Sequence, residues 1–259
     1  MSTAIFIGWD PRDDKAYKVC AHSLRRRASI PVDVHGVRLD ELVRAGLYTR
    51  PTERREQRLW DVVSEAPMST EFALSRFFVP MLARRIGLHE GWAVFCDCDF
   101  LWLEDIAALL AAADPTKALY CVQHRHEPGE LVKIDGQAQT RYARKNWSSL
   151  MLFNVGHPAH RRLTLDILNN TPGRDLHRFC WLSDDELGAL PSRWNWLEGS
   201  SPIDEVPAAV HFTRGGPWVP GWENVKYADL WQVEYDDLHA NARYNPAASH
   251  GLRDTTESQ

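Results

Sequence analysis

The chain opens with a strand, a helix and a second strand, and this order constrains the fold more than any other feature. Apolar residues 4–8 predict a short buried strand, and Asp10 followed by Pro11 predicts a helix start with Asp10 as the N-cap. The basic triplet 25–27 opposes the helix dipole and marks the helix end, and residues 31–37 predict a second strand. Strands joined by a helix run parallel, so we expect an α/β fold with a mostly parallel sheet flanked by helices.

Later segments continue this alternation of helices and strands. Apolar periodicity predicts helices from Thr70, over 104–113, from Pro158 to about Thr171, and briefly at Ser183, and strands over 92–96, 118–123, 148–153 and 210–212. Residues 40–68 are polar and rich in Arg and Glu, and they predict a helix with loops. No repeat or long linker interrupts the chain. We therefore expect one domain over residues 1–245 and a polar, frayed tail over 246–259.

An acidic pair, Asp97 and Asp99, ends the strand predicted over 92–96. Residues two apart on a strand point to the same side, so both carboxylates can face one cation. Oxygen ligands suit Mg²⁺ or Mn²⁺, and substrate phosphates commonly complete the shell of such ions. The triplet is weak as a bare pattern, but it stands at the carboxyl end of a buried strand, where open α/β sheets bind their ligands. The pair is therefore a candidate cation site.

Composition excludes several classes of protein. A formal net charge of −5 argues against a general nucleic-acid binder, which needs a surplus of Lys and Arg. Five cysteines, no recognisable export signal and no apolar stretch of membrane-spanning length lead us to expect a cytoplasmic protein without a transmembrane segment. Eleven tryptophans offer flat faces that suit sugar rings as well as core packing.

Five segments, in this order and spacing, resemble the retaining family 8 glycosyltransferases: IFIGWD (5–10), LSRFFVP (74–80), DCD (97–99), SLMLFN (149–154) and HFTRGGPW (211–218). The resemblance implies a single-domain, Rossmann-like GT-A fold and a UDP-sugar donor. It also implies a cation, Mn²⁺ with Mg²⁺ as the alternative, held by Asp97, Asp99 and His211. Apart from the resemblance, His211 is more simply a hydrogen-bonded core histidine.

The same resemblance extends to the donor-binding residues. It implies a nucleotide-base pocket at Gly8, Trp9 and Asp10, although Asp10 can equally be only the helix cap. It implies that Arg76 contacts the donor phosphate or sugar, with a surface arginine as the alternative. Cys98, between the two aspartates, falls in the donor-binding segment with Asp97.

The chain also departs from the family pattern. The late segment lacks the family's Lys before Pro-Trp, so Arg214 or Lys226 is the candidate substitute, and Gly215 and Gly216 can let backbone amides approach phosphates. The acidic residues 184 and 185 fall where the family places acids near the reacting carbon. We therefore take Asp184 and Asp185 as candidate catalytic residues, with a solvated helix N-terminus as the alternative.

These observations predict a metal-dependent glycosyltransferase that moves a hexose from a UDP-sugar to a hydroxyl acceptor with retention. Two alternatives remain. A sugar-nucleotide pyrophosphorylase or nucleotidyltransferase also uses paired acids, but the first twenty residues carry no Gly-rich basic loop for a triphosphate. A non-catalytic carbohydrate-binding protein would need no diphosphate-bridging cation. The donor sugar, the acceptor and the oligomeric state stay open.

Overall fold

A computed structural model describes residues 3–56, 58–124 and 147–244. The strands are β1 (Thr3–Gly8), β2 (Val32–Val37), β3 (Thr52–Arg55), β4 (Arg58–Asp61), β5 (Ala66–Pro67), β6 (Trp92–Cys96), β7 (Phe100–Trp102), β8 (Leu119–Val122), β9 (Leu150–Asn154), β10 (Leu187–Leu190), β11 (Trp196–Leu197) and β12 (Ala209–His211). The α-helices are α1 (Asp14–Arg27), α2 (Leu39–Arg44), α3 (Phe72–Ser75), α4 (Val79–Arg85), α5 (Ile106–Ala111), α6 (Leu165–Asn170), α7 (Gly173–His177) and α8 (Ala228–Tyr244). None of the helices in these ranges is both long and apolar enough to cross a membrane.

A six-stranded sheet with the order β10-β8-β9-β6-β1-β2 forms the centre of the molecule. β9 runs antiparallel to both of its neighbours, and the other pairings are parallel. Its apolar residues are buried, and large rings such as Phe77, Phe95 and Phe153 lie in the core cluster around the sheet. The mostly parallel α/β architecture predicted from the sequence is confirmed.

The opening strand-helix-strand unit also forms as predicted. Asp10 accepts a hydrogen bond from the backbone N–H of Arg12 at 2.9 Å, and a 3-10 turn at Pro11–Asp13 leads into α1. At the other end of α1, Arg26 and Arg27 contact the buried carboxylate of Glu234 on α8 at 3.4 and 2.8 Å. The basic triplet therefore closes α1 and also holds the long C-terminal helix against it.

A second, three-stranded sheet with the order β11-β12-β7 lies beside the first. β7 follows β6 after a short turn, and β12 pairs with it antiparallel, so that His211 stands opposite Phe100. This pairing joins two segments that are more than a hundred residues apart in the sequence. It determines the geometry of the site described below.

Two sequence predictions need correction, and one helix was missed. Residues 40–68 contain the antiparallel sheet β3-β4-β5 besides α2; every residue of β3 is exposed, so no apolar alternation marked it. The helix predicted from Pro158 is interrupted: a 3-10 segment at Pro158–Arg162 precedes α6, which Thr164 caps through its hydroxyl. Helix α8 was not predicted. The expected tail, 246–259, lies outside the described residues.

Candidate metal centre

The acidic pair lies in the turn between β6 and β7. β6 ends at Cys96 and β7 begins at Phe100, so Asp97 and Asp99 follow the strand rather than lie on it, which corrects the sequence-based geometry. Asp97 donates its backbone N–H to Ser149 O at 2.9 Å. The side chains of Asp97 and Asp99 are 14% and 22% exposed. The turn thus holds both carboxylates within reach of a ligand from solvent.

His211 completes a cluster with the two aspartates. Its Nε2 lies 3.3 Å from Asp99 Oδ1 and 3.9 Å from Asp97 Oδ2, and the side chain is only 3% exposed. One candidate ligand atom from each of the three residues lies within 4.8 Å of the others. The imidazole stacks on Phe100, with ring centroids 4.5 Å apart. The predicted juxtaposition of His211 with the pair is present.

Asn195 determines how His211 faces the aspartates. Its side-chain nitrogen donates to Ser149 Oγ at 2.9 Å, which leaves its Oδ1 facing His211 Nδ1 at 2.8 Å. An amide oxygen only accepts, so Nδ1 carries a proton, and in the tautomer that a cation requires the Nε2 lone pair is directed at the carboxylates. Sequence reasoning missed Asn195, because no local pattern links it to a histidine sixteen residues later.

The three side chains fit a divalent cation. Asp99 Oδ1 is buried and accepts no hydrogen bond, although it faces Nε2 of His211. A carboxylate oxygen and a ring lone pair repel each other at this distance unless a cation or a proton lies between them. Two carboxylates and one imidazole suit Mn²⁺, and the nitrogen ligand makes Mg²⁺ the poorer match.

Arg76 forms an ion pair with Asp97. Its Nη1 lies 2.8 Å from Asp97 Oδ1 and donates to Ser148 O at 2.9 Å. The residue is 5% exposed, and its guanidinium lies about equally close to the rings of Phe72 and Phe95. The alternative of a surface arginine is therefore wrong. Arg76 balances one of the two negative charges and orients that carboxylate.

His177 contacts Ser148, the residue whose carbonyl accepts from Arg76. The sequence patterns did not identify His177 as a site residue. Its Nδ1 lies 2.7 Å from Ser148 Oγ. Burial, and then the positive charge of Arg76, lower the pKa of His177 to about 3, so the ring is neutral at physiological pH. The contact places the end of α7 at the carboxyl edge of the sheet, beside Arg76.

Predicted donor-pocket residues occupy the turn after β1. Asp10 is fully buried and accepts four hydrogen bonds from Arg12 and the backbone of Glu71, which confirms the helix cap. The Arg38 guanidinium lies 3.8 Å over the ring of Trp9. At Gly8, a Cβ would come within 2.4 Å of the Phe72 ring, so packing alone requires a glycine there. A part in base binding stays a prediction for these residues.

Arg214 and Lys226, the two candidate substitutes for the missing lysine, make different contacts. Arg214 Nη2 donates to Glu198 Oε2 at 3.1 Å, and the backbone N–H of Glu198 donates to His211 O at 3.0 Å. Gly199 has a φ of 74°, and a Cβ on it would lie 1.5 Å from Arg214 Nη2. Lys226 instead donates to Ile203 O at 2.9 Å. Arg214 is thus linked to His211 through Glu198, and its role in place of the missing lysine stays a prediction.

The glycines after Arg214 have different surroundings. Gly215 has a φ of 132°, which favours glycine, and a Cβ on Gly216 would lie 2.0 Å from the ring of Trp218. Cys98 is 2% exposed, and burial raises the pKa of its thiol. The side chain of Cys98 therefore faces the interior, and a part for this residue in donor binding stays a prediction.

Asp184 and Asp185 lie far from the cluster. They form a 3-10 turn that precedes β10, and β10 pairs in parallel with β8 from Leu187 onward. The turn is therefore at the amino edge of the sheet, whereas Asp97 and Asp99 follow the carboxyl end of β6. Four residues of strand, at about 3.3 Å each, separate the two edges. The prediction that Asp184 and Asp185 lie near the reacting carbon is wrong; they belong to a capped turn in which Glu186 accepts from Ser183 N at 2.9 Å.

Comparison with known proteins identifies the family. Protein CDI of Arabidopsis thaliana is 45% identical to this chain over 240 residues, which cover 91% of this chain and 86% of that protein. This chain belongs to the Protein CDI family. No protein-family profile matches this CDI-family chain.

Three solved structures that share the fold of this CDI-family chain are glycosyltransferases. WbbM, a bifunctional glycosyltransferase, has a TM-score of 0.60 at 15% identity, over 92% of this chain and 51% of WbbM. Apo GlyE of Streptococcus pneumoniae TIGR4 has a TM-score of 0.55 at 14% identity, over 95% and 64%. The chain thus spans only about half of WbbM and less than two thirds of GlyE. The galactosyltransferase LgtC, solved with donor and acceptor sugar analogs, has a TM-score of 0.55 at 14% identity, over 93% and 99%. The predicted GT-A fold is confirmed.

Proposed function

We propose that this chain is a metal-dependent glycosyltransferase that transfers a hexose from a UDP-sugar to a hydroxyl acceptor with retention. One observation carries the proposal: Asp97, Asp99 and His211 converge at the carboxyl edge of a GT-A sheet, with His211 Nε2 directed at both carboxylates. The fold neighbours are glycosyltransferases, and the family 8 resemblance of five ordered segments supports the same assignment.

In this proposal Asp97, Asp99 and His211 hold Mn²⁺. When bound, the cation supplies positive charge that stabilises a diphosphate leaving group. Arg76 keeps Asp97 oriented, and Asn195 keeps the Nε2 lone pair of His211 available. The protein thus prepares the ligands before the donor binds.

The donor would lie along the carboxyl edge of the sheet. The turn Gly8, Trp9 and Asp10 would border the base, and Arg214 with the amides of Gly215 and Gly216 would contact the diphosphate. With Asp184 and Asp185 at the other edge, no side chain among the described residues is assigned as a nucleophile. We infer that the acceptor hydroxyl attacks from the leaving-group side and that a donor phosphate oxygen takes its proton.

Asp99→Asn tests the proposal. The substitution keeps the shape of the side chain but removes a charged ligand. We expect release of nucleoside diphosphate from UDP-sugars in the presence of Mn²⁺ to fall by more than about 100-fold, because even outer-shell partners of a metal cost roughly 10–100-fold. The matched control is Asp236→Asn on the exposed surface of α8, which should retain activity.

Other outcomes of the same assay would contradict the proposal. Full activity of Asp99→Asn, or of the wild type in excess chelator, would exclude the metal mechanism. Formation of a nucleoside triphosphate from UDP-sugar and pyrophosphate would identify a pyrophosphorylase. Sugar binding without turnover across the donor panel would identify a carbohydrate-binding protein.

A further inference from the structure

Asp13 is a third acidic residue at the same edge of the sheet. It ends the 3-10 turn that follows β1. β1 pairs in parallel with β6, with Ile7 opposite Cys96, so the turn after β1 begins beside Asp97. The topology therefore brings Asp13 and the cation ligands to the carboxyl ends of two adjacent strands.

A chain of contacts ties Asp13 to the strand that carries His211. The indole Nε1 of Trp218 donates to Asp13 Oδ1 at 2.9 Å. The Trp218 ring packs edge-on against Phe212 at 5.9 Å, and the backbone N–H of Phe212 donates to Asp99 O at 3.0 Å. The carboxylate of Asp13 is thus held in place by the same late segment that supplies a cation ligand.

The carboxylate of Asp13 is electrostatically coupled to one of the three proposed cation ligands, Asp99. Burial, and then repulsion by Asp99 and Asp10, raise the pKa of Asp13 above its ordinary value. Neighbouring Arg12 pairs instead with Asp10 at 2.8 Å. A cation between Asp97 and Asp99 would relieve this repulsion and favour the ionised form of Asp13.

We propose that Asp13 is an outer carboxylate of the cation site, which accepts a hydrogen bond from a water bound to the cation held by Asp97, Asp99 and His211. The inference rests on the cation site of the proposed function. Three protein ligands leave positions on Mn²⁺ that water or substrate fills, and an acceptor beside the ligands orients such a water. Asp13 is then a positioning residue that strengthens cation binding.

Asp13→Asn tests this role without using catalysis. Asparagine keeps an oxygen that accepts from Trp218 Nε1 but loses the negative charge. We expect the Mn²⁺ dissociation constant, measured by electron paramagnetic resonance, to rise about 10-fold. The melting temperature without cation should stay equal or rise, because the substitution removes a half-buried carboxylate that Asp99 repels. Asp14→Asn is the matched control. Asp14 pairs with Lys18 at 2.6 Å, and loss of the Asp14 charge should leave Mn²⁺ affinity unchanged.

Three results would overturn the inference. The first is an unchanged Mn²⁺ affinity in Asp13→Asn, and the second is an equal loss of affinity in Asp14→Asn. The third is weaker Mn²⁺ binding by Asp13→Asn together with a lower melting temperature without cation, which would indicate a purely structural residue. Absence of Mn²⁺ binding in the wild type would overturn the cation site itself. If Asp13→Asn does not fold, Trp218→Phe is the second test. This variant keeps an aromatic ring against Phe212 but removes the indole N–H that binds Asp13. Weaker Mn²⁺ binding by Trp218→Phe supports the role of Asp13, and unchanged binding excludes it.

Discussion

At the scale of single residues, the candidate site depends on side chains that touch no ligand. Asn195 determines which nitrogen of His211 carries the proton, because its own amide nitrogen is already committed to Ser149. Arg76 contributes one guanidinium contact to Asp97 from a buried position. Such partners determine the direction of a ligand's lone pair, so their effect should appear as cation affinity rather than as folding stability.

Asn195→Ala should therefore weaken Mn²⁺ binding by roughly 10–100-fold, because His211 loses the acceptor that holds its Nδ1–H. Asn195→Asp should lose less, since a carboxylate still accepts from Nδ1. Both constants can be measured by Mn²⁺ titration under electron paramagnetic resonance. Equal loss in the two variants, or none in Asn195→Ala, would show that the hydrogen bond does not orient the ring.

At the scale of elements, one buried ion pair attaches the sheet β3-β4-β5 to the rest of the molecule. Arg50 contacts Asp61 of β4 through two hydrogen bonds, at 2.9 and 2.6 Å, and both side chains are almost fully buried. Its Nη1 also donates to Leu168 O of α6 and to Thr171 O, at 2.9 and 2.8 Å. The planar guanidinium thus joins β4 to α6, and no other side-chain type has this geometry.

Arg50→Lys should lower the free energy of unfolding by about 3 kcal/mol, because a single ammonium cannot satisfy both Asp61 oxygens and two carbonyls in a buried site. Urea denaturation measures the change. Arg44→Lys is the control, since Arg44 pairs with Asp40 on the exposed surface of α2, where ion pairs contribute little. A loss below about 0.5 kcal/mol in Arg50→Lys would contradict the assigned role.

At the scale of the whole molecule, stability should depend on a histidine that the fold keeps neutral. His160 is buried and its Nε2 donates to Ala118 O at 2.8 Å, while Nδ1 is buried without a hydrogen-bond partner. Burial lowers the pKa of His160 from 6.5 to about 4. Between these two pH values the unfolded chain binds a proton that the folded chain does not, so stability falls as the pH falls through this range.

The contribution of His160 to this loss is on the order of 3 kcal/mol between pH 6.5 and pH 4. His160→Gln retains a donor for Ala118 O and does not titrate, so its free energy of unfolding should decline less steeply over that range. Urea denaturation at stepped pH values compares the slopes, with His89→Gln, at an exposed position, as the control. Parallel slopes in wild type and His160→Gln would contradict the prediction.

Much of the architecture could be predicted because it depends on local sequence patterns. The cap at Asp10, the end of α1 at its basic triplet and the buried strand before Asp97 each depend on residues within a few positions of one another. The predictions failed where the stabilising partner is distant. The exposed strand β3 carries no apolar alternation, and helix α8 is held by ion pairs with α1 across two hundred residues.

The sequence by itself determined the acidic pair, the strand that precedes it and, through the family resemblance, the histidine expected to join it. Only the tertiary structure decided that the pair lies in a turn, that Asn195 and Arg76 orient the ligands, that Asp13 faces the same edge and that Asp184 and Asp185 do not. The physical reason is that residue type and local spacing determine what a side chain can bind. The pairing of β12 with β7, and the direction in which each strand runs, determine which side chains meet.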